Sequence, residues 1–218
     1  MPVGRAAKIA IKNAIGLKGM KQGKVLAGPA RGVSMTFDFS GHTPMYLGMF
    51  EWELHRFFST VLTGSRCVFD VGGYVGYDAL MFAANSQGRV ITFEPNPDQA
   101  QILRDNVAQN PDLQTRISVN PNAVGHESSA GVTTLDALSE EVGVPDFVKI
   151  DIDGGEFGAL QGGATLLRER RPHLVVETHS LELEVQCGVF LQESGYKPVI
   201  KHNRKIWREH RAGALHNR

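Results

Sequence analysis

The spacing of apolar and polar positions changes character once along the chain, near residue 65. Over residues 5–15, Ala6, Ala7, Ala10, Ile11 and Ala14 fall on one helical face and Lys8 and Lys12 on another. That period predicts a short amphipathic helix, ended by Gly16 and Gly19. Residues 16–32 lack a period and read as a connector rich in Gly and Lys. Val33-Ser-Met-Thr-Phe-Asp-Phe39 alternates as a half-buried strand does. Residues 49–62 predict a helix with Phe50, Leu54, Phe57, Phe58 and Val61 inward and Gly64 as its stop.

From residue 66 the pattern is strand, turn, helix, repeated. Apolar runs predict strands at Cys67–Val71, Val90–Phe93, Ile117–Val119, Phe147–Ile150 and Leu174–Val176. Helical periods predict Asp78–Ala84, Pro97–Asn110 with Asn96 as its cap, a short helix from Thr133 or Thr134 to Val142, Glu156–Arg170, and 181–194 stopped by Gly195. Tyr196–Ile200 and Lys205–Trp207 suggest a closing hairpin around His202 and Asn203. Strands alternating with helices of ten to fifteen residues define an α/β fold, a mostly parallel sheet with helices on both faces. The expected division is an extension over 1–64 (basic helix, strand, helix) that packs on a core α/β domain over 65–218.

Composition narrows this picture. The 218 residues suit one domain with a small extension, and hydrophobic residues at 42% exclude a disordered chain. No apolar run reaches eighteen residues, so no membrane span is expected. Lys12 interrupts IAIKNAIGL, which rules out the apolar core of a signal peptide. Cys67 and Cys187 form no CxxC pair and read as small buried hydrophobes, so a reducing cytoplasm is the expected compartment. Net charge is zero, yet residues 1–31 hold seven bases and no acid, and 197–218 hold seven bases and one acid. Basic ends invite a nucleic-acid reading, but no aromatic side chain interleaves with the N-terminal lysines as a base-stacking surface requires. Solvated ends beside an acidic body are the preferred reading. The apolar face of 5–15 needs a cover, such as the acceptor entrance or a homodimer contact.

In open α/β sheets, ligands bind beyond the carboxyl ends of the strands. After the strand at 67–71 stands Asp70-Val-Gly-Gly-Tyr-Val-Gly76. A nicotinamide fingerprint would need glycine at 74 and 77, which are Tyr74 and Tyr77, and the Gly-Lys-Ser/Thr ending of a Walker loop is missing. Asp70 disfavours a pyrophosphate and favours a ligand with an ammonium group. Glu94, 24 residues on and after the next strand, suits both hydroxyls of a ribose. A ligand that is both amino acid and nucleoside is S-adenosylmethionine, whose sulfonium also suits an acidic body.

These stretches resemble the FkbM-type S-adenosylmethionine-dependent O-methyltransferase family. The resemblance runs through Val68–Gly76, Val90–Pro97, Leu103–Val107, Asn122–Gly125, Thr134–Asp136, Lys149-Ile-Asp-Ile-Asp-Gly-Gly-Glu156 and Val176-Glu-Thr-His179, in the family's order. Gly48-Met-Phe-Glu51 is similar to a short Gly-x-Tyr-Glu element that the family carries ahead of its first strand. The resemblance implies a class I methyltransferase fold, Rossmann-like, with seven strands and the last antiparallel. It implies that Asp70, Gly72, Gly73 and Gly76 line the methionine and ribose, that Glu94 binds the ribose, that Ala123 with Asn122 covers the adenine, and that Glu51 approaches the methionine end. Two departures stand out: Gly72-Gly73-Tyr74 replaces the usual Gly-Ala-Asn, and the loop Gly125–Val132 is short.

Asp151, Asp153, Glu156, Glu177 and His179 follow the strands at 147–150 and 174–176 and are expected to gather there. Methyl transfer from a sulfonium is an in-line displacement, so alignment supplies much of the rate. An alcohol acceptor must also lose its proton, to a neutral His179 or a carboxylate such as Asp151 or Glu177, or with help from a divalent cation. Asp151, Glu177 and His179 form the candidate magnesium or manganese set. Glu156 is read as opening its helix near the favourable dipole, and His173 as structural. The implied acceptor is a hydroxyl of a sugar, oligosaccharide or polyketide-like natural product. The rival readings are a nucleotide-binding oxidoreductase on a similar sheet and a non-catalytic nucleic-acid-binding protein. An amino-group methylase is disfavoured because no Asn/Asp-Pro-Pro-Tyr follows the strand at 147–150.

Overall fold

A computed structural model describes residues 18–201. The helix expected over 5–15 and the hairpin strand Lys205–Trp207 lie outside the described residues. In chain order the elements are β1 (Met20–Lys24), β2 (Ser34–Asp38), α1 (Thr43–Leu47), a single 3-10 turn at Trp52–Leu54, α2 (His55–Leu62), β3 (Cys67–Val71), α3 (Tyr77–Asn85), β4 (Arg89–Phe93), α4 (Pro97–Ala108) and α5 (Pro111–Gln114). There follow β5 (Ile117–Asn120), β6 (Ala123–Val124), β7 (Val132–Thr133), α6 (Leu135–Val142), β8 (Phe147–Ile150), α7 (Glu156–Gln161), α8 (Ala164–Glu169), β9 (His173–Val176) and α9 (Leu181–Glu193).

The central sheet has the order β5-β4-β3-β8-β9, and every neighbouring pair is parallel. It has five strands among the described residues where seven were expected. Residues 196–200 join no ladder, and Val199 and Ile200 stay exposed. The chain winds from β3 toward β5 and then returns to β8 and β9. The order therefore reverses between β3 and β8, where an α/β sheet opens a crevice.

Side chains alternate across a strand, and that period sorts the core onto two faces. Val68, Val90 and Phe147 pack with Met35, Phe37, Phe58 and Phe82. Phe69, Ile91, Val148 and Ile150 face Leu135, Leu160, Leu167 and Cys187. By the same period Asp70, Thr92 and Lys149 stand on the first face, under the N-terminal segment and α3.

Several local expectations meet the structure directly. Asn96 caps α4 by accepting from the backbone N–H groups of Asp98 and Gln99, and Thr134 caps α6 by accepting from Ala137. Both cysteines are free and buried. Others need correction. The connector contains β1, antiparallel to β2. The helix expected over 49–62 is a 3-10 turn followed by α2. The helix expected over 156–170 breaks at Gly162–Gly163, because Asp136 supplies a new cap: its carboxylate accepts from Thr165 N at 3.1 Å and Leu166 N at 2.7 Å. At the amino end of the sheet, Asp146 Oδ2 accepts from Arg66 N and Cys67 N at 2.7 and 3.0 Å, while its own carbonyl accepts from His173 N at 2.9 Å. One residue thereby ties β3, β8 and β9 at the end away from the crevice.

Candidate active site

The turn after β3 is built by backbone bonds. Gly72 and Gly73 both donate to Phe93 O at 3.0 Å, and Asp151 N donates to Val71 O at 2.8 Å. Gly72 has φ +101°, and a Cβ there would stand 1.9 Å from Asp151 O, so only glycine closes this turn against β8. At Gly73 a Cβ would meet Thr92 Oγ1 at 2.2 Å. Gly76 ends the turn as the residue before α3.

Asp70 is buried at 1% exposure, in register beside Thr92 and Lys149. Its Oδ2 accepts from Thr92 Oγ1 at 2.8 Å, while Oδ1 is buried without a hydrogen-bond partner. Burial first, then Asp78, pushes its pKa up to about 7, against the opposing pull of Lys149 and Thr92. An acid that holds its proton more tightly folded than unfolded stabilises the fold at low pH. That contribution is lost as pH rises from the ordinary carboxylate range through about 7. Stability of the unliganded protein is therefore expected to fall over this window, and the fall is expected to shrink in Asp70→Asn. Denaturant titrations at pH 5 and 8 on both proteins check it; parallel losses in the two would contradict the assignment.

Glu94 directly follows β4 and is largely buried. Its two oxygens are already oriented: Oε2 accepts from Tyr74 N and Oε1 from Asn96 N, each at 2.8 Å. Each oxygen keeps a lone pair for a further donor. Asn122 and Ala123 lie beyond β5, half-buried, with Asn122 N donating to Asn120 Oδ1 at 2.9 Å and Ala123 in β6 beside Val132.

The sequence pattern contains Lys149 without revealing its role. It is fully buried, with Nζ 2.7 Å from Glu51 Oε1, 2.5 Å from Asp78 Oδ2 and 3.3 Å from Asp151 Oδ2. Burial alone would lower its pKa, but Asp78, Glu51 and Asp151 together raise it well above the usual lysine value. Glu51 thus reaches the strand ends from the N-terminal segment. It does so from a left-handed backbone, φ 47°, that a non-glycine residue adopts only when its surroundings impose it. Burial pushes its carboxyl well up, and Oε2 is buried without a partner. Asp78, in the first turn of α3, was not among the expected site residues; its pairing across 71 positions leaves no local signal.

The acids and histidine beyond β8 and β9 do gather. Asp151, Glu177 and His179 each offer a ligand atom within 4.8 Å of the others. His179 Nε2 is 3.1 Å from Asp153 Oδ1 and 3.6 Å from Asp151 Oδ1, and Nδ1 is hydrogen-bonded to Glu156 Oε1. Glu156 therefore does more than open α7, since its buried carboxylate holds the imidazole. That bond, then Asp151, raises His179 to about 9 despite its burial. That shift favours the charged ring over the neutral one that a general base needs. Burial and Asp151 push Glu177 up to about 7, against Lys149 and His179. His173 begins β9 at the opposite end, away from this cluster.

A parallel sheet whose order reverses between β3 and β8, with acids at the ends of its first two strands, is shared with solved structures of the class I methyltransferase fold. Residues 123–198 match the methyltransferase FkbM domain, in support of that family. No curated protein is similar in sequence. Among solved structures, the methyltransferase FkbM of Methylobacillus flagellatus KT is 20% identical with a TM-score of 0.52, covering 71% of this chain and 47% of its own. This chain thus spans about half the length of that protein. The precorrin-6y C5,15-methyltransferase of Geobacter metallireducens GS-15 is 17% identical with a TM-score of 0.50, covering 66% of this chain and 72% of its own. Both support the fold. Among the described residues no helix is long and apolar enough to cross a membrane.

Proposed function

We propose that this protein transfers a methyl group from S-adenosylmethionine to a hydroxyl of a sugar, oligosaccharide or polyketide-like acceptor. The observation that carries the reading is Glu94, a strand-end carboxylate with both oxygens pre-aimed by backbone amides, beside the Gly72-Gly73 turn. Two fixed acceptors at this place fit the paired hydroxyls of a ribose. The orphaned oxygen of Asp70 fits an ammonium nearby. Gly72, Gly73 and Gly76 give the backbone its close approach, Asn122 and Ala123 take the adenine side, and Glu51 closes the methionine end. The bound cofactor supplies an electrophilic methyl on sulfur.

The acceptor then meets Asp151, Glu177 and His179. Asp151 or Glu177 takes the hydroxyl proton, and His179, held by Glu156, orients the nearby carboxylates. A divalent cation fits the same place, because a ligating histidine characteristically donates its other N–H to a carboxylate, as Nδ1 does to Glu156. Magnesium or manganese would be held by Asp151, Glu177 and His179, and it would supply a lowered hydroxyl pKa. Family resemblance supplies the acceptor class.

Calorimetric titration with S-adenosylhomocysteine tests the cofactor, and no heat of binding would end the reading. Transfer of labelled methyl to a panel of sugars, with and without exhaustive chelation, tests the rest. Turnover is expected to fall in chelator and return with magnesium or manganese. Full turnover in chelator would remove the metal and leave a carboxylate as base.

A further inference from the structure

The turn after β3 contains one residue that a glycine-rich pattern does not account for. Tyr74 has φ 46°, a left-handed backbone that is strained for a bulky side chain. It persists because the residue is held at both ends. Its N–H donates to Glu94 Oε2 at 2.8 Å. Its hydroxyl lies 3.2 Å from His42 Nε2, and the two rings meet edge to face at 5.7 Å. His42 is buried just after β2, and its Nδ1 accepts from Asp38 N at 3.1 Å. With Nδ1 an acceptor, the neutral ring carries its hydrogen on Nε2, so His42 donates to the tyrosine oxygen. A second link joins the next residue of the turn to the same segment. Asn106 Nδ2 donates to Val75 O, and Asn106 Oδ1 accepts from Thr36 N, each at 2.8 Å.

We propose that Tyr74 is a positioning residue for Glu94, locked by His42, so that the segment Ser34–His42 sets how the site reads the ribose hydroxyls. The inference rests on the cofactor reading given above. The left-handed turn at 74 aims the Gly73–Tyr74 amide at Glu94. Without its anchor the residue relaxes toward negative φ, the amide swings off, and Glu94 keeps one of its two orienting donors. Asparagine, which holds a left-handed backbone by itself, needs no such anchor. In this chain a tyrosine and a histidine from the N-terminal segment replace that local property.

The test titrates S-adenosylhomocysteine, and an analogue lacking the ribose 3′-hydroxyl, into wild type, Tyr74→Phe, His42→Ala, Tyr74→Asn and the double variant Tyr74→Asn/His42→Ala. Tyr74→Phe and His42→Ala are each expected to bind S-adenosylhomocysteine roughly threefold to tenfold more weakly, the range of one net hydrogen bond. They are expected to lose discrimination against the deoxy analogue by a similar factor. Tyr74→Asn is expected to keep near wild-type affinity, and His42→Ala to change nothing in that background. Thermal melts without ligand establish that each variant is folded. Equal weakening toward both ligands would mean that Tyr74 only packs the turn, and unchanged affinity would mean that the anchor is idle; either overturns the proposal. Wild type that discriminates between the ligands while both single variants do so undiminished also overturns it. Wild type that binds no S-adenosylhomocysteine overturns the cofactor reading first, and the proposal with it.

Discussion

Lys149→Met is expected to remove roughly 3–5 kcal/mol of folding free energy, the range seen when one partner of a buried ion pair is deleted. The ammonium is the shared counter-ion of Glu51, Asp78 and Asp151. Methionine fills similar volume, so cavity formation contributes little and the loss comes from carboxylates left buried without a cation. Those groups respond by taking up protons. The deficit is therefore expected to be larger at pH 8 than at pH 5. Urea titration at the two pH values measures both. Glu51→Gln, which keeps the lysine paired with Asp78, is expected to cost far less. A loss under about 1 kcal/mol for Lys149→Met, the range of an exposed pair, would mean that water reaches the cluster.

Glu94→Ala is expected to weaken S-adenosylhomocysteine binding by about 100-fold or more. Two charge-assisted hydrogen bonds to a ribose are worth roughly 1.5–3 kcal/mol each, and about 1.4 kcal/mol is tenfold. The fold is expected to survive. Tyr74 N and Asn96 N lose their acceptor in this variant, but Asn96 is exposed and Tyr74, in the turn after β3, is only half-buried, so water can replace it. Glu94→Gln is the milder companion: it keeps one carbonyl acceptor and is expected to fall between wild type and alanine. Calorimetry gives the affinities and thermal melting verifies the fold. Unchanged affinity in Glu94→Ala would take the ribose away from this residue.

What the sequence revealed was whatever its local chemistry determined. β3, β4, β8 and β9 are short apolar runs between turn residues, and Asn96 and Thr134 announce their helices by type and position. The acids at strand ends were visible because α/β topology gives those positions a meaning before any contact is known. What stayed hidden depended on partners far away in sequence. The Gly162–Gly163 break needs Asp136, about thirty residues earlier, to cap α8. β1 is too polar to show a strand period and exists through its pairing with β2. The bond from Glu156 that pulls His179 toward its charged form joins residues 23 apart, a contact that helix propensity does not encode.

Asp146 ties β3, β8 and β9 together at the end of the sheet opposite the crevice. The two ends of the molecule consequently differ in evolvability. Strand carboxyl ends carry strained backbone and crowded acids, features that favour binding over stability. Strand amino ends carry the staple and none of the candidate site residues. Libraries randomised around Asp151 and Glu177 would therefore tolerate more changes in a chain with Asp146 intact. Drift at Asp146 would leave fewer variants folded long enough to be selected, without touching the strand carboxyl ends.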